Sequence, residues 1–82
     1  MRANAVYVNF EVLEACKGLG AAHRQVLSFI EELHRYSESQ RHYLLRVPGA
    51  RELDVKVVRG WAIRYWYDAP VHTVNVVAIE RV

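Results

Sequence analysis

Two periodicities divide this chain. Between Ala5 and Phe10 apolar and polar positions alternate, with Val6, Val8 and Phe10 on one side and Tyr7 and Asn9 on the other, which is the period-2 signature of a strand. From Ala21 to Tyr36 the period changes. Ala22, Val26, Phe29, Ile30 and Leu33 recur at three- and four-residue steps, so a helix formed there carries one apolar stripe that it must bury. Arg24, Gln25, Ser28, Glu31, Glu32 and Arg35 fall largely on the other side, and Glu31 and Arg35 stand four apart in the favourable order. A shorter helix is predicted over Glu11 to Lys17, with Val12, Leu13 and Cys16 inward and Gly18 placed to end it in a left-handed cap.

The second half returns to alternation. Ser37 to His42 is polar and reads as a loop, Tyr43 to Val47 as a short extended piece, and Pro48-Gly49 as a turn. Over Arg51 to Val58 the expected inner face is Leu53, Val55 and Val57, leaving Glu52, Asp54 and Lys56 outward. Arg59-Gly60 is a tight hairpin connection, because glycine supplies the positive φ it needs. The next strand, Trp61 to Tyr67, sets Trp61, Ile63, Tyr65 and Tyr67 inward and Ala62, Arg64 and Trp66 outward. Asp68-Ala69-Pro70 is a turn. The near-continuous apolar run in Thr73 to Glu80 predicts a central strand covered on both faces.

Helices early and strands late indicate one α+β domain over residues 1–82: a small, antiparallel-dominated sheet with two N-terminal helices packed on one face. Val26, Phe29, Ile30, Leu33, Val55, Ile63 and Val76 are expected to be buried together. A 52% apolar composition argues against disorder. The net charge of +2 permits an anionic partner without demanding one. A lone cysteine, Cys16, cannot form an internal disulfide and reads as a small buried hydrophobe, which fits a reducing compartment. No stretch of about 18 apolar residues could span a membrane, and the opening residues lack a secretory pattern. A cytoplasmic protein is expected.

Chemical motifs are scarce. There is no glycine-rich phosphate loop, serine-nucleophile motif or paired-carboxylate signature. His23, His34, His42 and His72 show no metal-ligand spacing, so neither metal nor cofactor is expected. His42 or His72 could act as a general acid or base; solvated loop histidines are the plainer alternative.

The order and spacing of several segments resemble the RelE/ParE superfamily of bacterial toxins, including its HigB-like branch. The segments are Val6-Tyr7-Val8-Asn9-Phe10, Leu19-Gly20, Ile30-Glu31-Glu32-Leu33, Leu44-Leu45-Arg46, Pro48-Gly49, Arg51-Glu52-Leu53, Gly60-Trp61-Ala62-Ile63-Arg64-Tyr65 and Thr73-Val74-Asn75-Val76-Val77-Ala78-Ile79. The resemblance implies the toxin of a type II toxin–antitoxin pair, the kind also associated with plasmid stabilisation, with a cognate antitoxin as partner. RelE-like and HigB-like members inhibit translation by cutting mRNA on the ribosome, and ParE-like members poison DNA gyrase. The cutting members use lysines and arginines of the outer sheet face to stabilise charge on the attacked phosphate. This chain departs from them. It has Trp61-Ala62 where the family has a Tyr-Arg pair, Glu52 and Asp54 near the positions of basic residues, and an end at Val82 before a last catalytic position. The ParE-like branch fits these departures better.

Two candidate sets follow. If the chain cuts RNA, Arg64 is the candidate catalytic residue, assisted by Lys56 and Arg81; alternatively Arg64 pairs with Asp54 or Glu52 across the hairpin, and the other two are solvated. Arg46 would join such a basic set. For partner binding the candidates are Trp66, outward on the alternation, with Glu52, Asp54 and Arg46 beside it. An outward tryptophan can anchor a protein partner or stack on a base.

Overall fold

A computed structural model describes residues 2–82. Strand β1, Ala5–Val8, stops sooner than its alternation suggests. Asn9 ends it by capping the next helix, its Oδ1 accepting from the Glu11 amide at 2.8 Å, one of the orphan donors a helix start must satisfy. Helix α1 is therefore Phe10–Cys16. Phe10, expected beside Val6 and Val8, instead opens this helix and is 72% exposed. Gly18 does not supply the left-handed cap. Its amide, like those of Lys17 and Leu19, bonds a carbonyl three residues back, so the tightening turn carries the chain on, and the reversal falls on Gly20 at φ 59°. The long helix is continuous in sequence but not in type. A 3₁₀ turn, Gly20–Ala22, leads into α2, His23–Glu32, and a second, Leu33–Arg35, closes it.

The remaining strands are β2 (Tyr43–Leu45), β3 (Leu53–Val58), β4 (Trp61–Asp68) and β5 (Thr73–Arg81). They form one sheet in the order β1-β5-β4-β3-β2. All pairs are antiparallel except β1 with β5. The α+β layout with two N-terminal helices is as expected. β5 is interior, but much of its apolar run has another cause: Arg64 pairs with Ala78 and Tyr65 with Val76, so Val77 is an extra residue that breaks the alternation. The β3–β4 turn places both Arg59 (φ 53°) and Gly60 (φ 84°) in the left-handed region, the geometry that matches the twist of a two-residue hairpin.

Val26, Phe29, Ile30 and Leu33 of the α2 segment pack with Ile63, Tyr65, Val74 and Val76, joined by Val12 and Cys16 of α1. Burial pushes the Cys16 thiol up, which suits its expected role as a buried hydrophobe. Among the described residues no helix is long and apolar enough to cross a membrane.

Strand β3 corrects the alternation. Its residues Asp54, Lys56 and Val58 stand opposite Tyr65, Ile63 and Trp61, and the Tyr65 ring lies 5.6 Å from that of Phe29 on α2. Asp54 and Lys56 thus face the helices, and Leu53, Val55 and Val57 face away. Val55 is fully buried but lies outside the main core, opposite Tyr43 and Arg64. The inversion is tolerated because the inward polar groups have partners. The Lys56 ammonium sits 5.7 Å over the Phe29 ring, and Asp54 is hydrogen-bonded on both carboxylate oxygens.

Candidate functional site

Where α2 ends, the chain builds a cleft of about 540 Å³ against the β3 start and the β4 end. The local sequence explains its shape. Ser37 caps a 3₁₀ turn, Glu38–Gln40, in a capping box: its hydroxyl accepts from the Ser39 amide while its own amide donates to the Gln40 side chain at 3.0 Å. Gln40 also donates to the Glu32 carbonyl at 2.9 Å, which ties the turn to the end of α2. Arg41 follows directly and reaches Asp54 at 3.1 Å. His42 then continues the sheet: its amide donates to the Val55 carbonyl and its Nδ1 accepts from the Val57 amide. The histidine considered as a general acid or base is thus engaged by the backbone of β3.

Asp54, 5% exposed, is a buried charge in the cleft lining. It accepts from the Tyr36 hydroxyl at 3.1 Å and from Arg41. Partial burial, then the charge and hydrogen bond of Asp54, pushes the Tyr36 phenol up to about 12, since each disfavours a phenolate. Burial first, and Asp54 next, also raises the Tyr65 phenol, whose hydroxyl is buried with no hydrogen-bond partner among the described residues. The Tyr36 ring stacks on Tyr67 with centroids 4.4 Å apart and planes 9° from parallel. The Tyr67 hydroxyl in turn lies 2.7 Å from Nδ1 of His72. His72, the other histidine weighed for catalysis, stands in the left-handed region at the turn before β5 and is bonded there. In the lining of the same cleft the Arg51 guanidinium lies 3.6 Å from the centre of the Trp66 ring.

Of the residues expected to bind a partner, Trp66, Glu52 and Asp54 all line this cleft, but Asp54 enters from the helix side rather than from the outer face. Arg46 lies outside it and pairs with Glu52 at the rim. Arg51, Arg41, Tyr36 and Tyr67 were missed as site residues. Only the aromatic density near Trp66 hinted at one of them.

The cations considered for catalysis are dispersed. Arg64, on the outer face, pairs with Glu80 at 3.0 Å and not with Asp54 or Glu52. Lys56 is on the helix face over Phe29. Arg81 lies over Trp61, 5.3 Å from the ring centre, at the far end of β4. Among the described residues no group of three His, Cys, Asp or Glu side chains could hold a metal ion.

A five-stranded sheet with β1 parallel to β5, a β2–β5 meander and two preceding helices defines a RelE-like fold. The particular match is the crystal structure of the archaeal RelE–RelB complex from Pyrococcus horikoshii OT3. It superimposes with a TM-score of 0.76 at 17% identity, covering 99% of this chain and 96% of that one. No family model matches the sequence, and no curated protein does. The likeness is therefore one of fold, across nearly the whole of both chains, and the resemblance noted in the sequence holds at that level.

Proposed function

We propose that this chain is a toxin-like component of a two-gene toxin–antitoxin pair, acting by binding a macromolecular target and neutralised by a partner protein. The observation that carries the reading is the end-to-end fold match to a RelE solved in complex with RelB. The site chemistry favours binding over cleavage. A phosphate-cleaving centre needs converging cations and a proton acceptor. Here Arg64 is neutralised by Glu80, while Lys56 is on the opposite face of the sheet. The cleft at the end of α2 instead combines aromatic and charged groups, the composition of protein-interface anchors.

Inducible expression tests the reading. The chain should arrest growth, and co-expression of the adjoining open reading frame should relieve the arrest and yield a co-purifying complex. Growth that continues unchanged removes the toxin reading. In a ribosome-programmed assay no mRNA cleavage is expected. Cleavage that is lost in Arg64→Ala would restore the nuclease alternative, and inhibited DNA supercoiling by gyrase would identify a ParE-like target.

A further inference from the structure

We infer that the cleft at the end of α2 receives a single carboxylate carried on an apolar peptide segment, with Arg51 as the group that grips it. The inference rests on the proposed partner-binding reading only for the source of that peptide.

The charges in and around the cleft are almost all engaged. Asp54 is held by Tyr36 and Arg41, Glu52 by Arg46, and Glu38 stands 4.0 Å from Arg41. Arg51 is different. Its guanidinium lies against the Trp66 ring, and no acidic side chain among the described residues pairs with it. Stacking occupies the face of a guanidinium and leaves its in-plane N–H donors free, while the ring holds the fork in a fixed orientation. Such a fork matches a planar oxyanion in a bidentate contact.

Carboxylate and phosphate both fit that geometry, and the surrounding charges decide between them. Three acidic residues and two arginines line the cleft, a net negative lining whose repulsion grows with the charge of the ligand. A monoanionic carboxylate meets less of it than a phosphate dianion. The same cleft is lined by the stacked Tyr36 and Tyr67 rings, which suit an apolar or aromatic neighbour of the acidic residue. A volume of about 540 Å³ is in the range that accepts a few side chains.

The test uses the intact, isotope-labelled chain and follows the indole N–H of Trp66 and the Nε–H of Arg51 by NMR. The probes are acetyl-Leu-Glu-Tyr-Leu-amide, the same peptide with Gln for Glu, and inorganic phosphate. The acidic peptide should shift both signals saturably and bind about tenfold or more tighter than the Gln peptide, as expected for a charged hydrogen bond. Arg51→Gln, at an exposed position, should abolish that difference with the rest of the spectrum preserved, and Arg51→Lys should restore part of it. Equal binding of the two peptides, tighter binding of phosphate, or an Arg51→Gln chain that still discriminates would overturn the assignment. The two proposals fail separately. A co-purified partner whose affinity ignores Arg51→Gln removes the cleft assignment and leaves the toxin reading. Discriminating peptide binding by a chain that neither arrests growth nor retains a partner does the reverse.

Discussion

Asp54 offers the sharpest test of the structure, because the sequence and the fold place it on opposite sides of the sheet. Simple alternation makes it a solvent-facing carboxylate, whose replacement by alanine should change stability by no more than about 0.5 kcal/mol. In the fold it is 5% exposed and bonded to both Tyr36 and Arg41. Removing a buried member of an ion pair costs about 3–5 kcal/mol when its partner is left desolvated. The Arg41 side chain keeps 25% of its surface in water, so it can rehydrate, and the lower estimate of about 2 kcal/mol for lost charged hydrogen bonds applies to Asp54→Ala. For a domain of this size that lowers Tm by roughly 8–16 °C. Urea unfolding at pH 7, followed by tryptophan fluorescence, should show a lower midpoint with an unchanged slope. Glu52→Ala is the control, since Glu52 is exposed and its pair with Arg46 is a surface one, contributing about 0–1 kcal/mol. A double-mutant cycle with Tyr36→Phe should return a coupling of about 0.5 kcal/mol or more. If Asp54→Ala is no more destabilising than Glu52→Ala, and shows no coupling to Tyr36, the inward placement of Asp54 is wrong.

Other outcomes follow from single contacts. Phe29→Ala removes a 5% exposed ring that packs on Tyr65 and should cost about 3–5 kcal/mol, a large part of the total for so small a domain; a loss below about 1 kcal/mol in chemical denaturation would contradict the packing. Arg59→Asn should stabilise by roughly 0.5–1 kcal/mol, because asparagine tolerates the left-handed φ of 53° better than arginine, and an unchanged or lower Tm would count against the turn geometry. The Tyr36 phenol is raised from 10.0 to about 12 on folding, so its contribution is fully present below about pH 10 and is lost as pH rises through about 12. Tyr36→Phe should flatten that alkaline decline of stability, and an unaltered profile in Tyr36→Phe would exclude this phenol as its source.

Much of the fold is legible in the chain because local periodicity reports which segments have a face to bury. Ala22, Val26, Phe29, Ile30 and Leu33 specify the long helix and its inner stripe, and Ile30 and Leu33 are indeed in the core. Trp61 to Tyr67 announces both faces of β4. Arg59-Gly60 marks its hairpin. These are short-range signals, written in residues that touch or nearly touch along the chain.

What only the tertiary structure decided is which side of β3 meets the helices, and which distant residues share a cleft. The alternation in Leu53-Asp54-Val55-Lys56-Val57-Val58 names the more apolar face, Leu53, Val55 and Val57, as the inner one, yet the fold turns Asp54 and Lys56 toward the helices. Asp54 turns inward because Tyr36 and Arg41, 18 and 13 residues earlier, satisfy its oxygens, and no local pattern encodes partners at that separation. The same holds for the parallel insertion of β1 beside β5, which joins residues nearly seventy apart, and for the contact of Arg51 with Trp66, which forms only when the β3–β4 hairpin brings the two together. Alternation measures what a segment would bury, whereas burial of a charge depends on whether a partner arrives to satisfy it, and that is settled only when the whole chain is folded.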